Sequence, residues 1–182
     1  MKLFSPKTTD SRPIIDRVKE SLFSVLYNYG LPDGAAVADL FCGVGSLGLE
    51  ALSRGAEFVA FVEQDPGILA TLKRNIAKAG FADVSKVVRG DAFTLGCPPG
   101  PGCRPYDLVF VDPPYVLTAE VGQGSRLGGL MVLLGRQVAD NATVVVRTRQ
   151  DVRLLDEYGR FAVMDRRRWA MMSVTILRGR GI

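Results

Sequence analysis

The 182-residue chain contains no histidine. The side chain best matched to proton shuttling near neutral pH is therefore missing, and hydrolytic triads built on an imidazole are excluded. Cysteine is scarce as well. Cys42, Cys97 and Cys103 cannot all pair, and without histidine there is no Cys/His zinc cluster to build, so no metal is expected. Cys97 and Cys103 bracket CPPGPGC, which reads as a flexible loop carrying thiols. Long apolar runs are lacking too: no stretch of about 18 uninterrupted apolar residues could cross a bilayer. The N-terminal MKLFSPKTTDSRP has no signal-peptide core, so a cytoplasmic setting and no membrane partner are expected. The chemistry has to run on carboxylates, backbone groups and a cofactor that carries its own driving force.

What is present is ordinary for a globular chain, with 47% hydrophobic and 23% charged residues, which excludes a disordered or fibrous class. The length fits one domain over residues 1–182, divided into an extension and helix (1–30) and a core (31–182). The net charge of +4 is unevenly placed. Residues 1–30 carry five basic and three acidic groups, residues 31–140 nine and twelve, and residues 141–182 nine and four. Basic ends around an acidic middle suggest a cofactor-binding core whose rims meet a polyanion.

Apolar positions from Val18 to Tyr29 fall on one helical face, with Gly30 suited to a left-handed cap. AVADLF (36–41) is a short apolar strand, CGVGSLG a tight turn, and Leu47 to Arg54 a helix stopped by Gly55. Phe58 to Val62 gives a second strand. Asp65 and Pro66 supply the cap and first residue of a helix running to about Lys78. Further strands fit 85–88, 106–111 and 142–147, with a helix near 127–138. Continuously apolar strands alternating with helices indicate an α/β fold, a mainly parallel sheet with helices on both faces. Phe161 to Met164 and Met171 to Leu177, separated by DRRRWA, should close it as an antiparallel hairpin.

Gly43, Gly45 and Gly48 satisfy G-x-G-x-x-G after a strand, a spelling that dinucleotide-binding oxidoreductases share, and Glu63 could hold a ribose diol in either case. Asp39 separates the two, because a carboxylate there repels a pyrophosphate but suits the ammonium of a methionine moiety. Asp91 follows the third strand, where it and an adjacent N–H could read an adenine edge. Asp39, Glu63, Asp91 and Asp112 thus end four successive strands, the edge at which open α/β sheets bind ligands. Asp112 opens DPPY (Asp112, Pro113, Pro114, Tyr115), in which two prolines stiffen the loop. Rigid oxygens from Asp112 and the Pro113 carbonyl can accept the hydrogens of a base amino group and localise its lone pair toward a sulfonium methyl, while Tyr115 stacks on the base. Three other readings remain open: a DNA or RNA adenine-amino methyltransferase, an NAD-linked oxidoreductase and a non-catalytic RNA-binding module.

DLFCGVGSLGLEALSRGA, FVEQD, VVRGDAF, YDLVFVDPPY and RPIIDRVKESLFSVL together resemble the RsmD-like methyltransferases, which modify the 2-amino group of a guanine in bacterial small-subunit ribosomal RNA. The resemblance implies a Rossmann-like class I methyltransferase fold and S-adenosylmethionine as cofactor. It assigns the cofactor to Asp39, Phe41, Gly43, Gly45, Glu63, Asp91 and Ala92, and the base to Asp112–Tyr115. The implied partner is ribosomal RNA, naked or within an assembling small subunit. The sequence departs from the family pattern in its short stretch before Arg12 and in Ile14 and Ile15, where threonines are usual. RNA contact is accordingly expected from Arg12, Arg17, Arg166, Arg167 and Arg168.

Overall fold

The computed structural model describes residues 3–4, 16–169 and 171–181. Its elements in order are α1 (Asp16–Tyr27), β1 (Ala36–Leu40), α2 (Ser46–Ser53), β2 (Phe58–Glu63), α3 (Pro66–Ala79), β3 (Ser85–Arg89), α4 (Ala92–Leu95), β4 (Tyr106–Val111), α5 (Arg126–Leu134), β5 (Val138–Arg149), β6 (Glu157–Tyr158), β7 (Phe161–Trp169) and β8 (Met172–Gly179). The strands form one sheet in the order β3-β2-β1-β4-β5-β8-β7-β6. The first five pair in parallel; β8, β7 and β6 pair antiparallel. The expected α/β architecture with its terminal hairpin is the one observed.

Each sheet face carries its own core. On one face Val37, Val59, Phe61, Leu108, Phe110 and Val145 pack against α1, α2 and α3. On the other, Ala38, Val62, Val109, Val144 and Leu177 pack against α4 and α5. Strand alternation makes this partition, because successive side chains of a strand buried on both sides serve opposite layers. In α1, Leu22, Phe23 and Leu26 are almost wholly buried, each contributing about 1.5–3 kcal/mol of transfer free energy. A Lys19–Glu50 pair at 3.2 Å ties α1 to α2.

The caps of α3 are those its sequence spells. Asp65 accepts from the N–H groups of Gly67 and Ile68 at 2.7 and 2.9 Å, Pro66 opens the helix, and Gly80 closes it at φ +76°.

Four expectations need correction. Helix α1 stops at Tyr27, because Leu31 N–H turns back onto the Leu26 carbonyl at 3.1 Å and Gly30 takes φ +74°. The helix near 127–138 ends at Leu134: Arg136 and Gln137 fold back onto Leu133 and Leu134, and Val138 begins β5 opposite Tyr106. DRRRW does not separate the hairpin strands but belongs to β7. Because β6 pairs only with Phe161 and Ala162, the rest of β7 is an edge, where charged side chains are tolerated. Finally, the CPPGPGC loop is pinned. Cys97 is buried with its N–H on the Gln137 carboxamide oxygen at 2.8 Å, and the Tyr106 hydroxyl donates to the Pro98 carbonyl at 2.7 Å.

Candidate active site

The glycine turn after β1 is built for close approach. Gly43 and Gly45 lie at φ +55° and +87°, in the left-handed region that favours glycine. A Cβ on Gly45 would come within 2.5 Å of Leu72, and one on Gly48 within 2.4 Å of Phe61, so the second and third glycines set how closely α2 seats on its neighbours. Gly43 faces open space instead, with nothing within 4 Å of its Cβ position. The first N–H groups of a helix have no intrahelical acceptor, and Gly45 offers no capping side chain. Asp39 supplies the cap from β1, accepting from Gly48 N–H at 2.8 Å.

Asp39 is buried, and burial pushes its carboxyl up to about 8 despite the Gly48 bond, with Asp112 and Glu63 adding to the rise and Arg147 opposing it. Its folded value lies above its unfolded one, so the folded chain binds this proton more tightly between pH 4 and 8. Stability of the unliganded protein should therefore fall as pH rises through that window and level off above it. Asp39→Asn, neutral throughout, should flatten the decline in thermal-denaturation midpoints measured from pH 5 to 9; an equal slope in both proteins would exclude Asp39 as its source.

Glu63, at the end of β2, accepts from Gly43 N–H at 3.1 Å through Oε2 and from Gln64 and Asp65 N–H at 2.8 and 2.9 Å through Oε1. Three of its roughly four acceptor positions thus brace the glycine turn and the start of α3. Asp91 caps α4 by accepting from Phe93 N–H at 3.0 Å, and its other oxygen meets Arg126 at 2.9 Å. That guanidinium lies over the Phe93 ring at 4.2 Å, and Phe93 meets Phe41 edge-on at 4.7 Å. Phe41 holds φ +59°, rare for an aromatic residue and characteristic of over-determined functional loops. Ala92 is buried beneath this wall.

DPPY follows β4 directly. Asp112 N–H reaches the Leu40 carbonyl at 3.3 Å, and Leu117 N–H the Pro114 carbonyl at 2.9 Å, so a 3-10 turn over Tyr115–Thr118 continues the rigid loop. The Asp112 carboxylate meets Arg147 Nε at 2.5 Å, both side chains largely buried. Burial raises the Asp112 carboxyl and the Arg147 guanidinium opposes the rise. Arg147 comes from β5, whose Val146 is the register partner of Val111.

Asp39, Glu63, Asp112 and Arg147 therefore share one sheet face at one edge, with Asp91, Phe41 and Phe93 on the rim. Sequence reasoning missed Phe93, Arg126 and Arg147; the available signals were the phenylalanine in GDAF and an arginine ending the apolar run ATVVVR. Of the expected RNA contacts, Arg12 lies outside the described residues, as do Ile14 and Ile15, and Arg17 is exposed on α1. Arg166 is bound to the Leu154 and Leu155 carbonyls and to Asp156, and Arg167 to Asp165. The Arg168 side chain is exposed.

The donor set fits S-adenosylmethionine. Asp112 and Glu63, whose charges raise the proton affinity of Asp39, make a site that favours a cationic sulfonium and ammonium over a pyrophosphate, Gly43 leaves room, and Phe41 and Phe93 offer an aromatic wall. Among the described residues, no helix is long and apolar enough to cross a membrane.

Comparison with known proteins agrees. The family model described as conserved hypothetical protein 95 matches residues 1–178. Bacillus subtilis YlbH, which carries a provisional rRNA methyltransferase name, is 30% identical over 95% of this chain and 90% of its own. Escherichia coli ribosomal RNA small subunit methyltransferase D is 40% identical over 63% of this chain and 54% of its own length. The solved structure of Escherichia coli yhhF, provisionally named a methyltransferase, superimposes with a TM-score of 0.78 at 28% identity, over 97% of this chain and 92% of that one. The chain belongs to this family, the RsmD-like branch of the class I S-adenosylmethionine-dependent methyltransferases.

Proposed function

We propose that this chain transfers a methyl group from S-adenosylmethionine to the exocyclic 2-amino group of a guanine in small-subunit ribosomal RNA. The observation that carries the reading is the Asp112 carboxylate, clamped by Arg147 at the head of DPPY and sharing its sheet edge with Asp39 and Glu63. The names of the relatives support RNA as the substrate, and the quoted motif set supports guanine over adenine.

S-adenosylmethionine supplies an electrophilic methyl on a positively charged sulfur. The residues of the chain then have three tasks. Asp39 and Glu63 hold the glycine turn and place negative charge beneath the cationic cofactor. Phe41, Phe93, Asp91 and the first N–H of α4, that of Ala92, form the wall against which an adenine ring would lie. Asp112 and the Pro113 carbonyl accept the two amino hydrogens, turning the nitrogen lone pair toward the methyl carbon, while Tyr115 stacks on the base. As the N–C bond forms, the C–S bond breaks and its electron pair leaves with sulfur. The methylated nitrogen then releases a proton, a step that needs no strong base because the cationic amine is acidic.

Labelled S-adenosylmethionine, offered with isolated small subunits, free small-subunit rRNA and DNA, tests the reading. Label should enter guanine of the RNA and be recovered as N2-methylguanosine by nucleoside mass spectrometry. Label recovered in adenine would favour the adenine-amino alternative, and no transfer to any RNA would overturn the proposal. A thermal-shift response to NAD without one to S-adenosylmethionine would favour the oxidoreductase.

A further inference from the structure

A basic concavity lies between the β7–β8 hairpin and the chain leaving β5. It encloses about 350 Å³ and is lined by Val152, Arg153, Arg166, Arg168, Ser173 and Thr175. Strand alternation builds it. Arg166 and Arg168 are two apart on β7 and so share a face, and their register partners, Thr175 and Ser173, extend that face onto β8. Arg166 is the fixed wall: its Nη2 donates to the Leu154 carbonyl at 3.0 Å and to Asp156 at 2.8 Å, holding the chain after β5 against the hairpin. Arg168 is exposed, and its guanidinium has no partner among the described residues. Arg153 is exposed too, with Asp156 at 3.7 Å. Three guanidinium groups around one carboxylate leave the concavity positive, and two hydroxyls line its floor.

Its place on the sheet gives the charge a use. Strand β8 runs antiparallel to β5, so its beginning lies at the edge where β4 and β5 end. Val174, between Ser173 and Thr175, is the register partner of Arg147, which clamps Asp112, so by alternation the concavity opens at the same end of the sheet as that pair but on the other face, the one covered by α5. Two inter-strand spacings, about 10 Å in all, separate the line of β4 from that of β8. This is roughly three nucleotide rises along one strand. That spacing is measured along the sheet alone; a polynucleotide with one base at DPPY, followed over the sheet end past the Tyr115–Thr118 turn that packs on α5 and β5, would bring a backbone phosphate to this concavity.

We propose that the concavity is a phosphodiester subsite for the RNA strand that carries the target base, with Arg153 and Arg168 as the gripping cations above a floor of Ser173 and Thr175. The subsite rests on the RNA reading above and adds a specific grip to it. The test is an anisotropy titration of labelled small-subunit rRNA with the full chain across a salt series, beside methyl-transfer kinetics. In Arg153→Ala/Arg168→Ala, RNA affinity should fall about tenfold near 0.15 M salt and the log–log salt slope should shrink by about 1.5. The KM for RNA should rise while kcat at saturating RNA and S-adenosylmethionine affinity stay at wild-type values. Arg168→Lys should retain most of the slope, and Arg136→Ala, an exposed arginine at the opposite sheet edge, should change nothing. A double variant that keeps wild-type affinity and slope, while the wild type binds and methylates RNA, overturns the subsite alone. Equal loss in Arg136→Ala also overturns it, marking general surface charge. A wild-type chain that neither binds nor methylates RNA overturns the functional reading and the subsite together.

Discussion

Asp112→Ala is expected to lower methyl transfer to RNA by about 10³-fold while S-adenosylmethionine still binds, a loss on the scale of removing one fixed polar group aimed at the reacting centre. The amino nitrogen of a base is a poor nucleophile because its lone pair is delocalised into the ring. Only acceptors fixed before the reaction can localise that pair without reorganising at the moment of transfer. Asp112 meets the requirement through its bond to Arg147 Nε at 2.5 Å and the proline-stiffened loop behind it. Asp112→Asn keeps one carbonyl acceptor and should recover part of the loss. The measurement is single-turnover transfer of labelled methyl, with cofactor affinity followed by calorimetry. A near-wild-type rate in Asp112→Ala would mean that DPPY does not hold the amine.

Arg147→Ala should be the most destabilising single change at the site, by about 3 kcal/mol, because it leaves the Asp112 charge largely buried without its clamp. For a chain of this length the midpoint should drop about 6–12 °C. The sign with pH follows from Asp112, whose carboxyl burial raises and Arg147 opposes. Without the guanidinium the folded carboxyl should rise further, so the folded chain holds its proton to higher pH. The destabilisation should therefore be smallest at acid pH, where the proton is bound with or without the partner, and grow as pH rises and the unpaired charge forms. Chemical denaturation at pH 5 and pH 8 checks both magnitude and trend. A Leu or Met pair at 112 and 147 should lose activity yet recover much of the stability, since two apolar groups leave no buried charge. Equal losses for Arg147→Ala at both pH values would locate the effect in packing rather than in the ion pair.

The parts of the fold written locally were legible. AVADL, FVAFVE and YDLVFV are continuous apolar runs, and each is a strand buried by helices on both faces. The cap of α3 was legible because Asp65, Pro66 and Gly80 act within a few residues of themselves. Legibility failed where a distant partner decided the outcome. Val138 fits either end of a helix or the start of a strand, and only its pairing with Tyr106 chooses. Arg166 to Arg168 look like a turn until β8 gives them a ladder to complete. The two-residue β6 is too short to leave any pattern. At the candidate site, Asp39, Glu63, Asp91 and Asp112 could be found because strand ends can be found. Arg147 could not be assigned to Asp112, because that pairing depends on the β4–β5 register, and the Phe41–Phe93–Arg126 stack depends on three separate elements.

The distribution of thiols has a practical consequence. Cys42 and Cys97 are buried, and burial pushes both thiols up toward the unreactive neutral form, while Cys103 stands exposed just before β4. Because β4 carries Asp112 beyond its far end, Cys103 sits at the opposite end of the sheet from the site. Native protein should therefore accept a single maleimide dye at Cys103, with no cysteine engineered in or out. Such a label would report tumbling and RNA association by fluorescence while leaving the catalytic edge clear.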